Sequence, residues 1–416
     1  MTAKSTMRAW SLSVHKIVGW TGGIALLLWG VSGFLHPVMT YVGPAQTAFF
    51  PPSHPLVLEG TKPIGETLEA AGITEASNIK VIAGPAANVL QVTQSALEPR
   101  RYFDLKTGAE LPGQDINQAV FLARYYSGLK DAPVKSVTFQ TDFDDTYGWV
   151  NRLLPVYKVT FDTPDNVTAF AYTETNAMAF LTNDTKSTLS QFFSAMHSLD
   201  FAPENAEPLR VLYVAIMVGS LFIMALSGVG LLIFIRLNRR TPGIRGWHRV
   251  TSYVLALPLL MLSFSGLYHL FYSSGMPVAR NLTLSPPQIV ANATFHVPNH
   301  WADITAGLSV NSLSLVDAGQ GDHLYRLGLK RKKVGAPGPT TEDAIRNARF
   351  DGVPRTGPAL YINAANGKVW PQGDKELALR LAENFTDTPR EHITSSRLIT
   401  HFGPEYDFRN KRLPVW

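Results

Sequence analysis

Three apolar runs free of acidic and basic side chains, an arginine-rich link between the second and third, and an internal repeat predict an α+β membrane protein. The expected architecture is three transmembrane helices plus two extracytoplasmic α/β domains in a repeat whose second copy is incomplete.

The first run, Ile17 to Leu35, follows Lys4, Arg8 and Lys16. A cleaved signal peptide would have a shorter apolar stretch and a small-residue cleavage site. Here the run continues through His36-Pro37 without one, so it reads as an uncleaved anchor. The boundaries are a cytoplasmic N-terminus over 1–13 and a first span over 14–38. The second run, Val211 to Ile235, predicts a span over 208–236, and the third, Val250 to about Tyr272, a span over 248–273. Pro258 predicts a kink in the third. Between them the basic loop 237–247, with Arg236, Arg239, Arg240, Arg245 and Arg249 in and around it, marks the cytoplasmic side. Segments 41–207 and 275–416 are then extracytoplasmic domains.

Both outer segments read as α/β. In the first, Ile64 to Ala71 predicts a short helix, and Asn78 to Ile82, Val89 to Thr93 and Arg101 to Leu105 predict strands, with a turn at Lys106-Thr107-Gly108. In the second, Thr341 to Ala348 predicts a helix and Leu360 to Asn363 a strand turning at Asn366-Gly367.

The bulk composition agrees. Of 416 residues 45% are hydrophobic and 17% charged, enough for two or three compact units. The net charge of +5 is concentrated in the arginine cluster, whose place between two spans argues against nucleic-acid binding. Cysteine is absent, which excludes disulfides, cysteine-ligated iron–sulfur clusters and covalently attached haem.

The repeat shows best at polar positions. His15-Lys16-Ile17 matches His248-Arg249-Val250, and Ser32-Gly33-Phe34-Leu35-His36 matches Ser265-Gly266-Leu267-Tyr268-His269, both at one offset (248 − 15 and 269 − 36 are 233). The stretch Tyr147 to Tyr157 parallels Tyr406 to Trp416, and Tyr102-Phe103-Asp104 echoes Leu360-Tyr361-Ile362. By this symmetry a counterpart of the segment holding His197 and the second span is expected after Trp416, so a truncated or split gene product is the expectation.

Histidine spacing supplies the chemistry. His15 to His36 and His248 to His269 each cover 21 residues, roughly 31 Å of helix, about the hydrocarbon thickness. If the first and third spans run side by side, His15 lies level with His248 and His36 with His269. Each level then clamps one b-type haem between two neutral imidazoles, two haems in all. Gly22, Gly23, Gly30, Gly33 and Gly266 leave room for a flat macrocycle, although small residues in spans also serve helix packing. Any single histidine at a membrane end reads more readily as an interfacial polar residue; the matched depths of four reverse this in favour of iron ligands. His197 stands before the second span as an alternative ligand, a link to substrate or, equally, a surface residue. Pro298 weighs against a metal site at His296 and His300, and Lys330-Arg331-Lys332-Lys333 reads as a solvated turn.

These residues resemble the PepSY-associated transmembrane (PepSY-TM) family, whose members include inner-membrane ferric-siderophore reductases. The resemblance rests on His15-Lys16 with Ser32-Gly33-Phe34-Leu35-His36, on Met196-His197, and on His248-Arg249 with His269. It implies outer PepSY modules, each a helix on a small antiparallel sheet, a fourth span absent here, and a haem protein connected with iron uptake. The module also occurs in protease propeptides and sensors.

The leading expectation is haem-b transmembrane electron transfer that reduces ferric siderophores in the periplasm, from a bacterial inner membrane. No dinucleotide or P-loop motif is present, so quinol or a separate reductase is the expected donor. Levels ~31 Å apart call for an intermediate carrier, with Trp29 well placed. The alternative is a non-enzymatic, membrane-anchored PepSY protein that binds or regulates a partner; hydrolase motifs are absent.

Overall fold

The structure, a computed structural model, describes residues 3–95, 97–198, 207–234, 243–275, 289–290, 301–319, 322–330, 359–406 and 413–416. In chain order its helices are α1 (Ala3–Val42), α2 (Ile64–Ala70), α3 (Gln114–Ser127), α4 (Asp184–Phe193), α5 (Glu207–Phe234), α6 (Ile244–Gly275), α7 (Trp301–Ile304) and α8 (Gly373–Thr386). The strands are β1 (Glu75–Ala76), β2 (Asn78–Ala83), β3 (Asn88–Thr93), β4 (Arg101–Asp104), β5 (Val134–Gln140), β6 (Val156–Phe161), β7 (Thr168–Tyr172), β8 (Ala177–Thr182), β9 (Ile289–Val290), β10 (Ser309–Asp317), β11 (His323–Lys330) and β12 (Leu360–Asn363). The chain divides into two compact units, 1–42 with 185–280, and 43–184 with 281–416.

The first unit holds three helices long and apolar enough to cross a bilayer, Ser5–Val42, Pro208–Phe234 and Ile244–Tyr272. Large apolar side chains such as Trp20, Leu27, Val254, Leu257 and Leu262 stay exposed, as lipid-facing residues must. α5 is the shared neighbour of the other two. Toward α1, a Cβ added at Gly22 would lie 3.2 Å from Met224 Sδ and Ser220 O. Toward α6, Phe222 and Phe264 set their ring centroids 6.0 Å apart, and a Cβ at Gly266 would lie 3.6 Å from Val218. Without a hydrophobic drive between helices in lipid, such close backbone approach is what makes them associate. Pro258 sits inside α6, which runs through it unbroken.

In the second unit the strands are antiparallel. One sheet has the order β12-β11-β10-β2-β3-β4, a second β5-β6-β7-β8, and β1 pairs with β9. The six-stranded sheet draws on both outer segments. Each contributes a three-stranded meander, and the two join where β2 meets β10, with Val81 opposite Leu313, Lys80 opposite Ser314 and Ile79 opposite Leu315. Segments expected as separate domains thus share one sheet, because the joint removes two strand edges that would otherwise lie unpaired. Its apolar core includes Leu68, Ile79, Val92, Leu315, Leu327 and Ile362. α3 is closed at its C-terminus by Gly128, whose φ of 75° suits glycine. It packs Ala119, Leu122, Ala123 and Tyr126 on Val159, Phe161, Ala169 and Leu181 of the four-stranded sheet.

A buried ionic cluster ties β2, β3 and the start of β4 to the turn after β7. Glu174 accepts from Lys80 Nζ and Arg100 Nε, both at 3.1 Å, and from Thr93 Oγ1 at 2.6 Å. Burial alone would raise the Glu174 carboxyl, but Lys80, Thr93 and Arg100 bring it down to about 2. Arg100 also lies over the Tyr172 ring.

The outer repeat is legible in hydrogen bonds. Tyr102 donates to Asp115 at 2.7 Å while Asp115 accepts the Arg100 backbone N–H at 2.9 Å. Tyr361 donates to Asp374 at 2.6 Å while Asp374 accepts the Ala359 N–H at 3.1 Å. All three positions recur at one offset (361 − 102, 374 − 115 and 359 − 100 are 259), which corrects by one residue the alignment of Tyr102 with Leu360. The bridge Ile399–Val415 repeats the β5–β6 pair Gln140–Val156 at the same offset. Helix α2 and strands β2, β3, β4 and β12 fall within a residue or so of expectation, whereas β5–β8 and α3 had no counterpart in the sequence reading. The helix expected over Thr341 to Ala348 lies outside the described residues.

Candidate functional site

The inner pair of histidines comes together. His15, in the first third of α1, and His248, in the first turns of α6, set their ring centroids 6.1 Å apart with planes inclined at 51°. The His15 ring is oriented by α5: Nδ1 lies 3.0 Å from the Met224 carbonyl and 3.2 Å from Ser227 Oγ. Ser227 itself donates to that carbonyl. Gly228 clears the space, since a Cβ there would stand 3.3 Å from His15 Cε1. With Nδ1 donating to a carbonyl, the ring presents Nε2 as its free donor atom, the arrangement that prepares a histidine for a metal.

The donor set fits haem iron. Two metal–imidazole bonds of ~2 Å, with each ring centre ~1 Å beyond its nitrogen, put ring centres about 6 Å apart. Among the described residues no group of three or more His, Asp or Glu is placed to hold a metal ion. Of the glycines read as room for a macrocycle, Gly22 is spent on the α1–α5 contact, because Ser220 and Leu221 press against it. A Cβ at Gly23, Gly30 or Gly33 would meet nothing within 4 Å among the described residues.

At the other end of α1, the ring set beside His36 is Phe193, with centroids 6.0 Å apart, and Phe193 in turn stacks on His197 at 4.7 Å and 13°. His197 Nδ1 lies 3.0 Å from Ser32 Oγ, and the Trp29 indole donates to the His197 carbonyl at 2.9 Å. Burial holds the His197 imidazole below its usual pKa, and the neighbouring His36 adds to the effect. His269 lies on α6, 21 residues beyond His248. His296 and His300 lie outside the described residues, as do Arg331, Lys332 and Lys333.

The sequence reading missed the tethers on Met224, Ser227 and Ser32. Serines within spans are common, and no spacing marks which will face a histidine on another helix.

Three bilayer-length helices joined to an α+β unit define a polytopic membrane protein with extramembrane sheets. The chain belongs to the PepSY-associated TM family: the model for the PepSY-associated TM region matches residues 82–306, more than half of the 416. No curated protein and no solved structure matches it.

Proposed function

We propose that this protein is a b-haem transmembrane electron carrier that reduces ferric chelates, siderophores among them, on the outer face of a bacterial inner membrane. The observation that carries the reading is the approach of His15 and His248 from two different helices, with one ring already oriented through its Nδ1. Bound there, the iron supplies one-electron chemistry at a potential set by its two imidazoles and their hydrogen bonds. The chain's own part is to hold those rings and to carry a second histidine, His36, near the far end of α1.

Arg8, Lys16, Arg245 and Arg249 lie in sequence around His15 and His248, which supports a cytoplasmic place for that end of the spans. The donor is quinol or a separate reductase, since the basic loop 237–247 between the second and third spans is too short for a nucleotide-binding domain.

The test uses the full chain purified in detergent. Dithionite should produce the sharp visible bands of reduced b-type haem, and His15→Ala and His248→Ala should each remove the same part of them. The reduced protein should be reoxidised by a ferric chelate. A folded, colourless protein would refute the proposal and favour a binding or regulatory role for the outer sheets.

A further inference from the structure

We infer that helix α8 presents a docking surface for β-strands of another polypeptide, which cover it as β6–β8 cover α3.

The outer repeat supplies the comparison. α8 is the counterpart of α3, and the four side chains that α3 buries, Ala119, Leu122, Ala123 and Tyr126, recur as Ala378, Leu381, Ala382 and Phe385 (378 − 119 and 385 − 126 are 259). Spaced i, i+3, i+4 and i+7, they form one apolar stripe. In α3 that stripe is buried with Val159, Phe161, Ala169 and Leu181. In α8 all four residues are half-exposed. α8 is nevertheless seated on its own sheet, since Leu377 is buried with Tyr361 and Trp370. Glu376 and Glu383, both paired with Arg390, occupy the opposite side of the helix, so the charged and apolar faces are separate.

Two further positions extend the open face. Tyr157 of β6 is 3% exposed, whereas its counterpart Trp416 is 39% exposed. Leu398, the counterpart of the partly buried Phe139, is 46% exposed. The main chain there is poised for a strand. Val415 exchanges both its hydrogen bonds with Ile399, at 2.7 and 3.0 Å. Successive residues of an antiparallel strand turn these groups to opposite sides, so Trp416 offers its own away from Ile399. In the first repeat that side is taken, because Tyr157 pairs with Ala171 of β7. A second helix or a lipid tail leaves such main-chain groups unmet, and an added strand satisfies them. The chemistry of the occupant follows from β7 and β8, which gather Ala169, Ala171, Met178 and Leu181 in one cluster with the α3 stripe. The partner therefore presents antiparallel strands with small and medium apolar side chains on one face.

The chain has no cysteine, so single cysteines report on the surface without background. Ala382→Cys lies in the stripe, and Lys375→Cys, at an exposed position, is the control. The probe is a synthetic peptide with the sequence of residues 158–184, added to the full chain in detergent while maleimide labelling is timed. Both cysteines should label readily in the protein alone. With peptide, labelling at 382 should slow about tenfold or more and labelling at 375 should not change. Phe385→Asp and, independently, Ala378→Asp should each weaken peptide binding about tenfold, with hydrogen exchange of α8 as in the wild type.

Labelling at 382 that the peptide leaves unchanged up to about 100 μM overturns the inference. So does equal slowing by a scrambled peptide. A stripe already closed in the protein alone overturns it as well, whether seen as an unreactive cysteine at 382 or as a disulfide-linked dimer, the dimer making a second molecule of this chain the occupant. None of these outcomes touches the dithionite spectrum on which the haem reading stands.

Discussion

Glu174→Gln tests how the two sheets of the outer unit are held. The Glu174 carboxyl stands at about 2 instead of 4.5 in the folded chain. At ~1.36 kcal/mol per unit, its ionised form is worth roughly 3 kcal/mol to the fold. Little of this is screened, since the Glu174 and Arg100 side chains are only 12% and 2% exposed. Because the folded value is depressed, the contribution is complete above pH 4.5 and drains away as pH falls toward about 2. Glutamine keeps the size and one acceptor, but leaves Lys80 and Arg100 buried without their counter-charge, a change that costs about 3–5 kcal/mol in other buried pairs. Hydrogen exchange of the full chain in detergent, followed by mass spectrometry at pH 7, reads this directly. Peptides covering β2, β3 and β7 should exchange roughly 100-fold faster in the variant, with α5 and α6 unchanged. The wild type alone should lose protection on acidification below pH 4.5. A change under about threefold, or equal acid sensitivity in both proteins, would refute the electrostatic account of this joint.

Three further outcomes follow from contacts elsewhere. Gly22→Leu should loosen α1 from α5 and lower the melting temperature in detergent, because its Cβ would meet backbone atoms of Ser220 and Leu221 at 3.2 and 3.3 Å. Gly23→Leu, with open space beside it, should change little, and equal effects would count against the packing argument. Tyr102→Phe removes one buried partner each from the Gln91 amide and the Asp115 carboxylate and should cost about 1–3 kcal/mol in denaturant unfolding. Tyr361→Phe, whose Asp374 partner is partly solvated, should cost less than about 1.5 kcal/mol; equal losses would contradict the burial difference. The depressed pKa of His197 makes the docking of Ser194–Ser198 on α1 strongest above pH 6.5 and weaker as pH falls through the lowered value. Exchange protection at Phe193 to Ser198 should fall accordingly, and His197→Gln should abolish that dependence.

The three spans could be found from sequence because bilayer crossing is a local requirement: enough consecutive apolar residues without charge, with basic residues at one end. Strands β2 to β4 and β12 alternate or end at glycine turns, and so were visible too. The alanine-rich strands β7, Thr168–Tyr172, and β8, Ala177–Thr182, carry no comparable pattern and needed their neighbours to declare them.

Histidine spacing could be read from sequence as well, since four imidazoles at two matched intervals are a pattern within single helices. Which imidazoles meet was decided only by tertiary structure. Spacing describes height along a helix and says nothing about which helix lies beside which. α5 between α1 and α6 holds the His15 ring, a π-turn after Phe193 sets His197 on Ser32, and each depends on packing between residues far apart in the chain. The union of the two outer segments in one sheet is of the same kind. Val81 and Leu313 are read alike by any local rule, and only the folded backbone makes them neighbours.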